Sequence, residues 1–178
     1  GTVRKALDEM AAERLVVRRQ GRGTYVAEHD DDRILFQFFK LQADNGTRVF
    51  PDSAILSVET RLATDNERLR LQLPARSQVI VIRRVRSYND IPLLVETLSL
   101  PFSLFAGLEK GDIPNNLYQL YAARFRITVA RAHEKLKAIC LVSDDALALG
   151  VPEGTPALAI DRIAIALDGK PVEWRVSH

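Results

Sequence analysis

The sequence predicts an α+β fold: an antiparallel sheet with short helices on a face and an internal pseudo-twofold repeat, preceded by a short helix and a hairpin. Two observations predict it, and a third bears on the partner. First, two stretches carry the same features in the same order. Leu71-Gln72-Leu73-Pro74 leads into Val79-Ile80-Val81-Ile82-Arg83-Arg84, a turn, Pro92 and Glu96; Leu149-Gly150-Val151-Pro152 leads into Ala157-Leu158-Ala159-Ile160-Asp161-Arg162, a turn at Asp168-Gly169, Pro171 and Glu173. Second, a short helix start precedes each copy, at Thr64 and at Ser143, so each unit reads helix, strand, turn, strand. Third, the charge is uneven. Residues 1–26 hold six Lys/Arg against three Asp/Glu, while the other residues hold 19 against 20, within a net charge of +2. A basic head before a neutral body points to an anionic partner at the N-terminal end.

Thr2 to Arg14 is helical, because Val3, Ala6, Leu7, Met10 and Ala11 recur at helical spacing while Arg4, Lys5 and Asp8 fall off that stripe. Leu15 to Arg19 reads as a strand, Gly21-Arg22-Gly23 as a turn, and Thr24 to Ala27 as the return strand. A helix followed by a hairpin is the back half of a winged helix. Gly1-Thr2-Val3-Arg4-Lys5-Ala6-Leu7, then Leu15-Val16, then Gly21-Arg22-Gly23-Thr24-Tyr25-Val26, resembles the DNA-reading half of GntR-type bacterial transcription regulators. The resemblance implies that Thr2, Arg4 and Lys5 contact the major groove or phosphates, with Arg22 and Gly23 at the wing tip near the minor groove. Arg and Lys supply phosphate affinity and donors to base edges, and Gly allows close backbone approach. The alternative is an amphipathic helix whose exposed face is merely basic. Residues 1–28 therefore read as a partial winged helix without its first two helices, which on its own is not expected to bind DNA properly. The acidic stretch 29–33 reads as a linker.

Ile34 to Ala43 fits either a helical face or a strand, and the turn at Asp44-Asn45-Gly46 favours a strand. Ala54 to Arg61 is a further strand. Thr64 and Glu67 form a capping box that starts a helix through Leu71, stopped by Pro74. Val79 to Glu96 is a hairpin turning at Asn89-Asp90. Asp112 to Phe125 holds a helix with Leu117, Leu120, Tyr121 and Phe125 on its buried stripe and Asn115 or Asn116 as its N-cap. Ile127 to Ala138 is a strand leading into the second copy.

Residues 34–178 resemble the UTRA effector-binding domain, which accompanies the HutC branch of the GntR regulators and shares its fold with chorismate lyase. This agrees with the resemblance of the head. Both ends read as cut, so the chain is expected to be a fragment of a longer protein.

The candidate site starts from Arg84 and Arg86. Alternation along a strand puts both guanidinium groups on one face, amid core residues. Asn116 stands at a helix start, where free N–H groups favour an anion, and Tyr118 adds a hydroxyl. Glu96 and Glu173 stand in matching places of the two copies. Arginines suit phosphate or carboxylate, and carboxylates accept from sugar hydroxyls or an amine. The resemblance implies the same set: sugar-phosphate-binding members of the family use an Arg-x-Arg pair, a Ser-x-Tyr at the helix start and two glutamates. This chain carries Arg84-Val85-Arg86, Glu96, Tyr118 and Glu173, with Asn116 where those members have Ser. The family's last pocket contacts would lie just past His178. The competing reading of Arg84 and Arg86 is a cross-strand ion pair with Glu96 on a wet sheet face. Arg162, the repeat mate of Arg84, reads as a structural salt bridge. Tyr88 fits pocket wall or core, Cys140 fits the core, and His29, His133 and Trp174 read as ordinary packing or surface residues.

The expected function is that of a DNA-binding transcription regulator, a repressor, not an enzyme. A small acidic effector, a sugar phosphate or carboxylate, would bind the sheet domain and change operator affinity. Half-site geometry on DNA requires paired heads, hence a homodimer. The alternatives are a chorismate-lyase-like enzyme and a stand-alone small-molecule-binding module. No cofactor and no metal site is expected, since three scattered histidines and one cysteine give no ligand spacing. No apolar run approaches a membrane span, no stretch reads as a signal peptide, and a lone cysteine suits a reducing cytosol, so the expected location is cytoplasmic.

Overall fold

The computed structural model describes residues 2–12, 16–19, 23–26, 42, 45–47 and 49–178. The chain divides into two compact units, Gly1–Phe39 and Lys40–His178. The linker expected at 29–33, most of the segment expected at 34–43, and Arg22 lie outside the described residues.

In the first unit, helix α1 (Thr2–Ala12) packs against the first strand of an antiparallel hairpin, β1 (Val16–Arg19) and β2 (Gly23–Val26). Leu7 and Ala11 are half-buried, whereas Val3, Ala6 and Met10 are exposed. The expected apolar stripe is therefore only partly covered, because a two-stranded hairpin shields a narrow strip of an adjoining helix.

The second unit is a six-stranded antiparallel sheet. Its strands are β3 (Asp52–Leu62), β4 (Gln78–Tyr88), β5 (Ile91–Pro101), β6 (Val129–Cys140), β7 (Pro156–Ala166) and β8 (Pro171–Ser177), in the order β3-β4-β5-β8-β7-β6. Helix α2 (Asp65–Leu71) joins β3 to β4, and α5 (Ser143–Leu149) joins β6 to β7. Between the halves run α3 (Phe102–Phe105), a 3-10 turn (Leu108–Lys110) and α4 (Leu117–Phe125).

Local sequence explains the elements. Thr64 caps α2 with a full capping box, its hydroxyl accepting from the N–H of Glu67 while Glu67 accepts from the N–H of Thr64. Such a cap contributes about 1 kcal/mol. Ser143 does not cap α5: Val142 holds that position, and the Ser143 hydroxyl donates to Glu153. Asn89 and Asp90 both adopt positive φ, 50° and 62°, between the paired Tyr88 and Ile91. A two-residue hairpin turn of this hand needs left-handed backbone at both positions, which Asn and Asp tolerate.

The two halves match strand for strand, and the strand order reads as a twofold rotation about the β5–β8 junction. Both β4–β5 and β7–β8 shift register at equivalent places, after Arg86 and after Ala164. Arg84 lies opposite Glu96, and its mate Arg162 lies opposite Arg175. Glu96 faces Ser177 and Leu98 faces Arg175 across the junction. The repeat mate of Glu96 is therefore Arg175, whereas Glu173 corresponds to Leu94. Glu96 and Glu173 do not stand in matching places: Pro92 and Pro171 pair with the equivalent residues Ser87 and Ile165, and Glu96 lies four residues past its proline whereas Glu173 lies two past its own.

Helices cover both faces of the sheet, where the sequence predicted a single face. On one face α2 packs Leu71 on Val79 and Val81, flanked by Ala63, Leu73 and Trp174, and α5 meets β4 through Arg83 and Asp145. The other face carries Ile80, Ile82, Leu98 and Leu100, fully buried; each such side chain contributes about 1.5–3 kcal/mol by leaving water. There α3 and α4 form the lid, with the Phe105 ring 4.6 Å from Tyr121 and 5.3 Å from Phe125. Cys140 is exposed rather than core, since it ends the edge strand β6. Among the described residues no helix is long and apolar enough to cross a membrane.

Candidate functional site

Alternation along β4 continues the Ile80–Ile82 face into Arg84 and Arg86. Cross-strand pairing then puts Glu96 of β5 and Glu173, Arg175 and Ser177 of β8 on that face, under α4. Five charged side chains meet there almost out of water: Arg84 is 1% exposed, Arg86 2%, Arg175 6%, Glu96 2% and Glu173 0%. Three guanidinium groups face two carboxylates, so the cluster carries one positive charge in excess.

Arg84 Nε donates to Glu96 Oε1 at 2.5 Å. Arg175 bridges the carboxylates, donating to both oxygens of Glu173 at 3.0 Å and to Glu96 Oε2 at 3.5 Å. Ser177 adds a donor to Glu96 Oε2 at 3.3 Å. From α4, Tyr118 and Tyr121 donate their hydroxyls to Glu173 at 3.2 and 2.7 Å. Arg86 lies 4.0 Å from Glu96. It donates to the Pro51 carbonyl at 2.7 Å and to Asn115 Oδ1 at 3.0 Å, with the Phe50 ring 4.8 Å away.

These contacts set the ionisation. Burial pulls the Glu96 carboxyl upward, but Arg175, then Arg84 and Arg86, outweigh it and hold the group down at about 2. Arg175 sits well above its ordinary value, as Glu173 and Glu96 override burial. Burial and then Glu173 push the Tyr118 hydroxyl up to about 12, so it remains a donor. Arg86 moves the other way: burial first, then Arg84, lowers it to about 9. Glu96 and Asp52 pull it upward without making good the difference. Guanidinium donors beside carboxylate acceptors are the groups that hold an anion and its hydroxyls.

The UTRA domain family matches residues 48–178 of this chain. The chain belongs to the UTRA family. The HTH-type transcriptional repressor NagR of Bacillus subtilis is 28% identical over 173 residues, spanning 97% of this chain and 71% of NagR. A solved ligand-binding domain assigned to a GntR-family transcriptional regulator of Bordetella bronchiseptica superposes with a TM-score of 0.66 at 34% identity, covering 71% of this chain and 81% of that one. PhnF from Mycobacterium smegmatis, at 23% identity, shares the fold over 99% of this chain and 78% of its own, with a TM-score of 0.69. Such relatives are transcription regulators rather than enzymes, and this chain is a GntR-family transcription regulator with a UTRA domain.

Within the UTRA domain, Arg84, Arg86, Glu96, Tyr118 and Glu173 come together. Asn116 is placed differently: it is the N-cap of α4, and its side chain accepts from the N–H of Gln119 at 3.3 Å. Its neighbour Asn115 is the residue that meets the arginines. The cross-strand ion pair of Arg84 with Glu96 exists, yet on a buried face rather than a wet one. Arg162 pairs with Glu134, as its structural reading expected. Tyr88 is 39% exposed beside the turn and is not core. Arg175, Ser177 and Tyr121 complete the network; the sequence reading placed Tyr121 only on the buried stripe of its helix and did not single out Arg175 or Ser177. The alternation that joined Arg84 to Arg86 also joins Glu173, Arg175 and Ser177, so that signal was present. In the first unit, α1 exposes Thr2, Arg4 and Lys5. Gly23 opens β2 opposite Arg19.

Proposed function

We propose that this regulator binds a small acidic effector in its UTRA domain and thereby changes the operator affinity of a winged-helix head, acting as a homodimeric repressor. The head spans residues 1–28, the linker 29–33 and the effector domain 34–178. One observation carries the reading: three buried arginines face two buried glutamates, leaving an excess positive charge on a sheet face under a helix. Burying a net charge costs several kcal/mol unless something compensates it. An anion beside Arg84 and Arg86 does so, and it would reverse the downward displacement of Arg86. Glu96 and Glu173 then accept from hydroxyls, which favours a sugar phosphate or a hydroxylated carboxylate. Asn116 and Tyr118, at the start of α4, complete the proposed contacts. Thr2, Arg4, Lys5, Arg22 and Gly23 are the proposed DNA contacts. Coupling between two such sites typically amounts to about 1–3 kcal/mol, or roughly 5–150-fold in operator affinity.

The test is a thermal-shift screen with sugar phosphates, amino-sugar phosphates and small carboxylates. A true effector at a hundredfold excess over Kd stabilises by about 2.7 kcal/mol. Arg84→Ala with Arg86→Ala abolishes that shift. A shift surviving both substitutions removes the site.

A further inference from the structure

Arg84 and Arg86 are 1% and 2% exposed, so no effector reaches their guanidinium groups while their present cover stays in place. Among the described residues, Pro51 and Asn115 lie outside β4 and β5 and supply oxygen acceptors to the pair. Pro51 accepts from Arg86 Nη2 at 2.7 Å, and it is buried just before β3. Asn115 accepts twice: its Oδ1 from Arg86 Nη2 at 3.0 Å, and its main-chain carbonyl from Arg84 Nη1 at 3.4 Å. One residue thus presents two neutral oxygens to two arginines, as a carboxylate or phosphate does with charge. Asn115 is only half-buried and lies in the segment between the 3-10 turn and α4, where Gly111, Asp112 and Pro114 are exposed. Of the two covers it is the one nearer solvent. An anion adds to the hydrogen bond a full Coulombic attraction to the guanidinium that a neutral oxygen lacks, so an anion outcompetes it.

Building on the effector reading of this cluster, we propose that Asn115 is an internal stand-in for the effector anion, holding Arg84 and Arg86 in the ligand-free protein and yielding its place when a phosphate or carboxylate binds. The position gives the exchange a consequence. Asn116, next in the chain, caps α4, and Tyr118 in the first turn donates to Glu173. Displacing Asn115 therefore moves the start of the helix that roofs the site. Asn115 also sets affinity: a site whose open form is populated at about a tenth binds about tenfold more weakly than its intrinsic value.

Two substitutions act in opposite directions. In Asn115→Ala the side-chain competitor is gone. The variant binds inorganic phosphate roughly tenfold tighter at constant ionic strength, a gain of about 1.4 kcal/mol, while its ligand-free Tm is unchanged or lower. In Asn115→Asp a fixed carboxylate sits on the arginines. That variant has a higher ligand-free Tm and binds phosphate at least about tenfold more weakly. Calorimetric titration with phosphate and thermal melts without it read both effects. A packing role alone lowers Tm in Asn115→Ala and leaves phosphate affinity where it was, which overturns the inference. Weaker phosphate binding by Asn115→Ala also overturns it, because Asn115 then contacts the ligand directly. Arg86→Ala separates the two levels. If wild type binds phosphate, Arg86→Ala does not, and Asn115→Ala matches wild type, only the role of Asn115 falls. If no variant responds to phosphate and wild type responds to nothing in the effector screen, the effector reading falls with it.

Discussion

Replacing Glu96 by Gln removes the charge on which three arginines converge while keeping the side chain's shape. Arg84, Arg86 and Arg175 then face Glu173 alone, all but out of water. The magnitude comes from the ionisation. Arg175, Arg84 and Arg86 overcome the upward pull of burial and hold the carboxyl at about 2, against an ordinary 4.5. That gap corresponds to about 3 kcal/mol of folding stability. Removing one partner of a buried ion pair costs about 3–5 kcal/mol by direct comparison, so the two routes agree. At roughly 3 °C per kcal/mol for a domain of this size, Tm at pH 7 falls by about 10 °C. The sign of the pH dependence is fixed as well. The folded value lies below the unfolded one, so the contribution is complete above about pH 5 and is lost as pH falls toward 2. Thermal and urea melts of wild type and Glu96→Gln at pH 7, 5 and 3 therefore converge as the solution becomes acid. Glu67 is also held at about 2, against the pull of burial, by Arg61 and Thr64, and it titrates in the same window. It does so in both proteins and cancels from the difference. A Tm within about 2 °C of wild type at pH 7, or a gap at pH 3 as wide as that at pH 7, refutes the reasoning.

Two further substitutions test the frame around the site. Thr64→Ala removes the hydroxyl that caps α2 and donates to Glu67; urea denaturation reads a loss of about 1–2 kcal/mol. Arg76 holds φ at 60° where its repeat mate Gly154 holds 82°. Arg76→Gly relieves that conformation and raises stability by up to about 1 kcal/mol, read as a higher Tm, whereas Gly154→Ala lowers it.

Features whose cause is local were legible in the sequence. The turn at Asn89-Asp90 comes from two residues that tolerate left-handed backbone, and the start of α2 from the reciprocal bonding of Thr64 and Glu67. The repeat was visible because turn chemistry recurs at the same places in each half. Arg84 and Arg86 stood out because they continue the run Val79-Ile80-Val81-Ile82, where a buried strand has no packing use for them. What escaped depends on contacts distant in the chain. Matching Glu96 with Glu173 because each follows a proline hid Arg175, which lies four residues past Pro171 as Glu96 lies four past Pro92; the strand register makes that spacing decisive. Leu71 and Tyr121 are both apolar helix residues, and nothing near either says which sheet face it will meet. Asn115 acquires its contacts only when the segment before α4 lands on β4. Cys140 sits in the run Ala138-Ile139-Cys140-Leu141-Val142, which reads as interior, but an edge strand has a neighbour on one side only.

Glu96 and Arg175 occupy equivalent positions about the axis between β5 and β8, and they bond to each other across it. An assembly of two identical half-chains cannot contain that bond. Exact symmetry would set glutamate against glutamate or arginine against arginine, and like charges buried at that separation repel. Opposite charges at the axis require that the two halves be encoded separately within one polypeptide. The same asymmetry extends along the strands. With Ala164 standing where the first half has Arg86, the second half offers one arginine where the first offers two. A fold of nearly symmetric shape thus has a lopsided interior.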